Sequence, residues 1–128
     1  MKLYQSIAII SLFGAINTGY AACTETTNTG IATKISIGHS WGKHSSEYVA
    51  GTPIANLKMP LTPKVTNTTE FKSHIISAMS STSKKGGGGK TYWWLASTGT
   101  FVVHDPANVD CGSAFRPVDG KPYYDRQI

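Results

Sequence analysis

The clearest pattern of apolar and polar positions in this chain is a helical one. Between residues 67 and 80, apolar side chains recur every three or four positions and fall on one helix face. These side chains are Phe71, Ile75, Ala78 and Met79. Asn67 stands where a helix cap is preferred, and Glu70 follows it at capping-box spacing. We therefore predict a helix that packs this face against a core.

The residues before this helix have a weaker pattern. Residues 40–49 predict a second helix that is capped by Ser40 and ends before Gly51. Isoleucines alternate with other residues over 31–37, which favours a short strand. Three prolines predict a loop over residues 51–66.

The character of the chain changes after residues 80–90, a tract rich in serine, lysine and glycine that we predict to be flexible. Aromatic and β-branched side chains then dominate short runs that are separated by turn residues, as in antiparallel hairpins. The predicted strands are residues 91–95, 100–103, 113–116 and 122–124. Helices followed by such a meander indicate an α+β fold, with N-terminal helices packed on about four antiparallel strands.

The first residues are typical of an export signal. Lys2 supplies a positive charge, residues 7–16 are apolar, and small residues lead to a cleavage site after Ala21. The apolar run is shorter than the ~20 residues that span a bilayer, so we expect no stable membrane span. We predict one secreted or periplasmic domain over residues 22–128, in which residues 22–30 form a loose leader.

The chain has two cysteines, Cys23 and Cys111. In an oxidising compartment we expect a disulfide between them, which would stabilise the fold by about 2–4 kcal/mol. The alternative is a lipid anchor on Cys23, because small residues precede it. Tyr20 stands where that signal prefers an aliphatic residue, and Cys111 would be left unpaired. We favour the disulfide.

The charge of the chain favours anionic partners. Twelve basic and seven acidic residues give a net charge of +5. Lys2 would leave with the signal, so eleven basic residues would face seven acidic ones, a net charge of +4. A phosphodiester substrate is our first hypothesis for such a partner, since long-range attraction draws phosphates to a basic surface. The alternative is a non-enzymatic cationic module that binds an anionic envelope polymer or a partner protein.

Residues 38–44, GHSWGKH, contain two of the four histidines of the chain. Imidazole titrates near neutrality, so a spaced pair can both take and give a proton. On the predicted helix, His44 lies at the edge of the face that packs on the sheet, whereas Lys43 and Glu47 point to water. His39 lies just before the helix. The alternative is that both histidines are ordinary loop or rim residues.

The predicted strands carry side chains that suit a phosphate. The planar guanidinium of Arg116 can bind phosphate oxygens, and the Ser113 hydroxyl can bind one as well. On an ideal strand these two residues face opposite sides, so a bulge would be needed to bring both to one site. His104, Tyr123 and Tyr124 are further candidates for substrate binding, the tyrosines by stacking on a base. Turn and core roles are the alternatives for these three.

Taken in order, the motifs GH…KH, YWW…TGTFVVHDP, CGSAFRP and GKPYYD resemble a family of bacterial nucleases. They are similar to C-terminal ribonuclease domains of polymorphic and contact-dependent inhibition toxins, in the barnase/EndoU/colicin/RelE-like superfamily. The likeness covers residues 36–126. It implies a ribonuclease without metal or cofactor, in which a histidine of the helical half works with hydroxyl and basic groups of the sheet. The residues that match are His39, Lys43, His44, Ser113 and Arg116.

The resemblance implies RNA cleavage by transesterification. His44 would remove the 2′-OH proton and His39 would protonate the 5′-oxygen, although the two could exchange roles. Lys43 and Arg116 would stabilise the charge on the phosphorane, and Ser113 would orient a phosphate oxygen. We expect a monomer, with a cognate acidic immunity protein as the partner that such a toxin implies.

Overall fold

Helices precede an antiparallel sheet in the computed structural model, which describes residues 22–48 and 64–128, and the predicted α+β fold is confirmed. The helices are α1 (Asn28–Ile37), α2 (His39–His44), α3 (Thr68–Met79) and α4 (Lys121–Asp125), and a 3₁₀ turn (Ser45–Tyr48) directly follows α2. The strands are β1 (Lys84–Gly87), β2 (Lys90–Leu95), β3 (Thr100–His104) and β4 (Gly112–Phe115). No helix of these two ranges is long and apolar enough to cross a membrane.

The four strands form one sheet in the order β1-β2-β3-β4, with every pair antiparallel. Trp93 of β2 pairs with Val102 of β3, which in turn pairs with Ala114 of β4. Side chains alternate between the faces of a sheet, so this row lies on one face and the neighbouring residues lie on the other. The predicted hairpin of residues 91–95 and 100–103 is therefore confirmed.

Apolar side chains cover both faces of the sheet. The face with Trp93 and Val102 packs against α1 and α3, in a core that includes Ile31, Ile35, Phe71, Ile75, Ala78 and Met79. The opposite face packs against α4, in a smaller core formed by Tyr92, Trp94, Phe101 and Tyr124. Burial on both faces explains why β2 has three consecutive aromatic residues instead of an alternating pattern.

The predicted strand at residues 31–37 is wrong, because these residues belong to α1. Ile31, Ala32 and Ile35 share one face of that helix and are buried against α3. The side chain of Thr27 caps the helix by accepting a hydrogen bond from the Gly30 N–H. The predicted loose leader at residues 22–30 is therefore wrong in part, since it holds this cap and the first turn of α1.

Helix α3 is confirmed close to its predicted bounds. The Asn67 side chain accepts from the Glu70 N–H at 2.9 Å, as a helix cap does. The Glu70 carboxylate instead accepts from the main chain and hydroxyl of Thr66, at 2.7 Å each. These bonds lower the pKa of the Glu70 carboxyl, and the hydroxyl contributes most. The predicted cap residue, Asn67, therefore caps this helix.

Helix α2 begins at His39, so the predicted cap at Ser40 is wrong. Ser40 is fully buried and uses its hydroxyl to contact β4. Gly38 precedes the helix, where a Cβ atom would lie only 2.8 Å from the Asp110 side chain. The chain is helical to Tyr48, and the predicted end before Gly51 lies outside the described residues, as does most of the predicted loop at 51–66.

Two predictions about the strands are corrected by the structure. Part of the predicted flexible tract forms β1, because Gly88 and Gly89 both adopt positive φ (61° and 80°) in a two-residue hairpin loop that leads into β2. The predicted strand at residues 122–124 is instead α4. Pro122 lies in the first turn of that helix, where its missing N–H is tolerated, whereas a strand ladder would lose a hydrogen bond.

The predicted disulfide between Cys23 and Cys111 is present, with the two Cα atoms 4.8 Å apart. It joins the segment before α1 to the residue before β4. The bond uses the sulfur that lipidation of Cys23 would require, so the disulfide is the interpretation that the structure supports. The predicted signal at residues 1–21 lies outside the described residues.

Candidate functional site

A cavity of about 360 Å³ opens where the end of α2, the end of β4 and α4 meet. Its polar lining comes from His44, Glu47, Arg116, Asp119, Tyr123 and Arg126. This volume falls within the usual range for small-ligand sites. Two of the predicted catalytic residues, His44 and Arg116, and one predicted binding residue, Tyr123, therefore meet in one cavity.

His44 and Glu47 form an imidazole–carboxylate pair in this cavity. His44 Nδ1 lies 2.6 Å from Glu47 Oε2, and the imidazole stacks on the Phe115 ring at 4.9 Å. The side chains of the pair are 16% and 23% exposed. Because Nδ1 faces a carboxylate, it carries the hydrogen in the neutral ring, and Nε2 is the nitrogen that can accept a proton.

Glu47 lies beside His44 because of the local backbone. Its predicted orientation towards water assumed that α2 continues at 100° per residue. The chain instead tightens into a 3₁₀ turn over Ser45–Tyr48, in which side chains three positions apart eclipse each other. Glu47 is consequently half-buried above His44, and the prediction of a solvent-facing carboxylate is wrong.

Arg116 holds Glu47 from two sides. Its main-chain N–H donates to Glu47 Oε1 at 2.8 Å, and its Nη1 donates to the Glu47 carbonyl oxygen at 2.9 Å. Its Nε also donates to the Thr98 carbonyl oxygen at 2.8 Å. The residue is only 2% exposed, and burial lowers the pKa of its guanidinium against the opposing effects of Tyr48 and Glu47. Arg116 thus fixes the 3₁₀ turn that carries the carboxylate.

Ser113 lies outside the cavity. Its hydroxyl is 2.7 Å from the Ser40 hydroxyl, and Ser40 Oγ also accepts from the Ala114 N–H at 3.2 Å. Ser113 contacts Ser40 of α2, whereas Arg116 contacts the 3₁₀ turn at Glu47, so the two side chains do not share a site. The structure therefore places Ser113 in a contact between α2 and β4, apart from His44.

His39 and Lys43 are also apart from the cavity. His39 Nδ1 lies 2.6 Å from Asp110 Oδ2, which also accepts from the His39 main-chain N–H at 3.2 Å. These bonds, the side-chain one first, lower the pKa of the Asp110 carboxyl. His39 and His44 are five positions apart, so they are separated by about 7.5 Å along the helix and about 140° around it. Lys43 is exposed on the same helix.

The other predicted binding residues have different surroundings. His104 Nε2 lies 3.8 Å from Cys23 Sγ, and burial lowers the pKa of this imidazole, with Asp105 opposing the shift. Tyr124 is 7% exposed in the smaller core, where the Lys85 ammonium lies 4.5 Å from its ring centroid. Only Tyr123 of these three lines the cavity.

Sequence reasoning missed three charged residues of the cavity, which are Glu47, Asp119 and Arg126. The spacing of His44 and Glu47, three positions apart, was the signal for the first. Arg126 and Asp119 flank α4, and they could not be placed at the cavity while that segment was predicted to be a strand. Arg126 Nη2 and Asp119 Oδ2 lie 3.0 Å apart at the cavity rim.

Comparisons of this chain with protein-family models, with curated proteins and with solved structures each gave no match. The resemblance to toxin nuclease domains therefore stays a prediction from the motifs, and the functional argument depends on the geometry of the cavity.

Proposed function

We propose that this protein is an exported, metal-independent ribonuclease that cleaves RNA by transesterification in the cavity at the end of α2. The observation that carries the proposal is the His44–Glu47 pair, in which a carboxylate orients an imidazole inside a cavity of about 360 Å³. The net positive charge of the chain also supports a phosphodiester substrate. Export through the predicted signal, and neutralisation by an acidic immunity protein, are parts of the same proposal.

The proposed cleavage uses one imidazole of the cavity and water for its two proton transfers. His44 Nε2 accepts the 2′-OH proton while the 2′-oxygen attacks phosphorus, and the bond from phosphorus to the 5′-oxygen breaks. The 5′-oxygen takes a proton from water, since His39 lies at the other end of α2. The products are a 2′,3′-cyclic phosphate and a 5′-hydroxyl. Glu47 stabilises the imidazolium that forms, and the positive charge of Arg116 lies in the cavity wall.

The direct test is cleavage of total RNA by the purified protein in EDTA. His44→Ala should fold normally and lose activity by about 10²–10⁴, the usual cost of removing a general base. Glu47→Gln should lose roughly 10²-fold or more, since the imidazole loses the group that fixes its tautomer.

Glu70→Gln is the matched control, because it removes the same charge from the exposed start of α3 and should leave cleavage unchanged. Full activity of His44→Ala would refute the role of this cavity. A loss in His39→Ala equal to that of His44→Ala would refute the single-imidazole scheme. RNA that stays intact but is bound in a salt-sensitive manner would instead favour the non-enzymatic cationic module.

A further inference from the structure

Arg126 is more accessible to a ligand than Arg116. Its side chain is 57% exposed at the cavity rim, whereas Arg116 is 2% exposed and donates to two main-chain carbonyl groups. The ion pair of Arg126 with Asp119 is also more than half exposed on both sides. Such pairs contribute about 0–1 kcal/mol, so a phosphate can replace the carboxylate at little cost.

Helix α4 connects this rim to the far edge of the sheet. On one side of the helix, the Tyr123 ring lies 5.4 Å from the ring of Phe115 on β4. On the other side of the helix, the Lys85 ammonium of β1 lies 4.5 Å from the Tyr124 ring centroid. Strands β1 and β4 are separated by three strand spacings, about 14 Å. This distance is longer than the spacing between successive phosphates of a nucleic-acid strand, so more than one phosphate fits along it.

Two lysines, Lys121 of α4 and Lys85 of β1, add positive charge around this helix. Lys85 Nζ donates to the Asp125 carbonyl oxygen at 3.2 Å, which holds the ammonium in place over Tyr124. Lys121 Nζ lies 6.0 Å from the same ring centroid and 2.8 Å from Asp125 Oδ1. The pair of Lys121 with Asp125 is more than half exposed on both sides, so it too can exchange its carboxylate for a phosphate.

We propose that these three cations form a binding surface for the phosphates that flank the cleaved bond of single-stranded RNA. Arg126 lines the cavity, Lys121 begins α4, and Lys85 of β1 contacts the other end of that helix at Asp125. The inference rests on the proposed function, which supplies RNA as the ligand. It predicts that the protein prefers long RNA to dinucleotides, because only a long strand reaches Lys121 and Lys85.

Binding can be measured separately from cleavage with a fluorescent 2′-O-methyl decanucleotide, whose attacking hydroxyl is blocked. Each lost phosphate contact should reduce the slope of log K against log salt by about 0.7, so Lys85→Gln/Lys121→Gln should reduce it by about 1.4. We expect an affinity loss of roughly tenfold or more at low salt. The control Lys34→Gln/Lys72→Gln removes the same charge from α1 and α3, on the other face of the sheet, and should retain the slope.

Cleavage then separates this surface from the proposed function. If both are correct, Lys85→Gln/Lys121→Gln cleaves a dinucleotide at the wild-type rate and a decanucleotide more slowly. A protein that cleaves no RNA but shows the slope change refutes the nuclease and supports the surface. A wild type that does not bind the decanucleotide at low salt, or a lysine variant that matches its control, refutes the surface.

Discussion

Removal of the disulfide between Cys23 and Cys111 should lower the free energy of unfolding substantially. The variant Cys23→Ala/Cys111→Ala removes both sulfurs without placing a hydroxyl at position 111, where the side chain is fully buried. The cysteines are 88 residues apart. In the chain-entropy model, a loop of that length restricts the unfolded chain by about 4.6 kcal/mol at 25 °C.

Urea unfolding of the wild type and the variant measures this change. We expect the free energy of unfolding to fall by about 4–5 kcal/mol, and the Tm by about 20 °C or more for a domain of this size. Dithiothreitol should lower the stability of the wild type towards that of the variant and leave the variant unchanged. A loss below about 1 kcal/mol would refute the reasoning, because it would mean that the bond does not restrict the unfolded chain.

Three further predictions concern the core and the backbone. Burial lowers the pKa of His74 to about 4, with a smaller contribution from Arg116, so protonation disfavours the folded state as the pH falls from about 6.5 towards 4. We expect His74→Gln to remove up to about 3 kcal/mol of the stability loss over that range, as measured by urea unfolding at each pH. Phe71→Ala should lower the free energy of unfolding by about 3–5 kcal/mol in the same assay, since this ring is fully buried between Trp41 and Tyr48. A loss below about 1 kcal/mol would contradict its place in the core. Gly112→Ala should prevent folding as judged by circular dichroism, because φ is 134° and a Cβ atom would overlap the Val103 carbonyl oxygen; a folded variant would contradict that geometry.

The parts of the fold that sequence predicts well are those with redundant local information. The cap at Asn67 and the apolar face that includes Phe71 and Ile75 each favour a helix at the position where α3 forms. The hairpin of β2 and β3 likewise combines β-favouring side chains with turn residues. Where several independent preferences favour the same structure, tertiary contacts have little to override.

The missed elements depend on partners that are distant in the sequence. The buried face of α1 contains Ile31 and Ile35, whose spacing suits a helix, although the intervening residues also suit a strand. The glycine-rich β1 has few side chains that favour a strand and forms by pairing with β2. Helix α4 is defined by the position of Pro122 and by the apolar sheet face that its tyrosines cover. Local pattern alone cannot supply these contacts.

The candidate site was predicted only in part, because part of its geometry also depends on contacts between distant residues. His44 and Arg116 could be named from residue type and motif, and they line one cavity. The spacing of His44 and Glu47 was a signal for the carboxylate that orients His44, but its direction depends on the change from α-helix to 3₁₀ turn after His44. That change depends on Arg116, which donates to the turn from the end of β4.

Strand β4 lies at the border of the sheet, where unpaired main-chain groups can recruit a strand from another molecule. Here the outward N–H groups of Ala114 and Arg116 donate to side chains, Ser40 Oγ and Glu47 Oε1. The carboxylate that orients the imidazole therefore also protects this border from intermolecular pairing. Loss of Glu47 should remove this acceptor from the Arg116 N–H, so one residue contributes both to the imidazole pair and to the protection of the sheet edge.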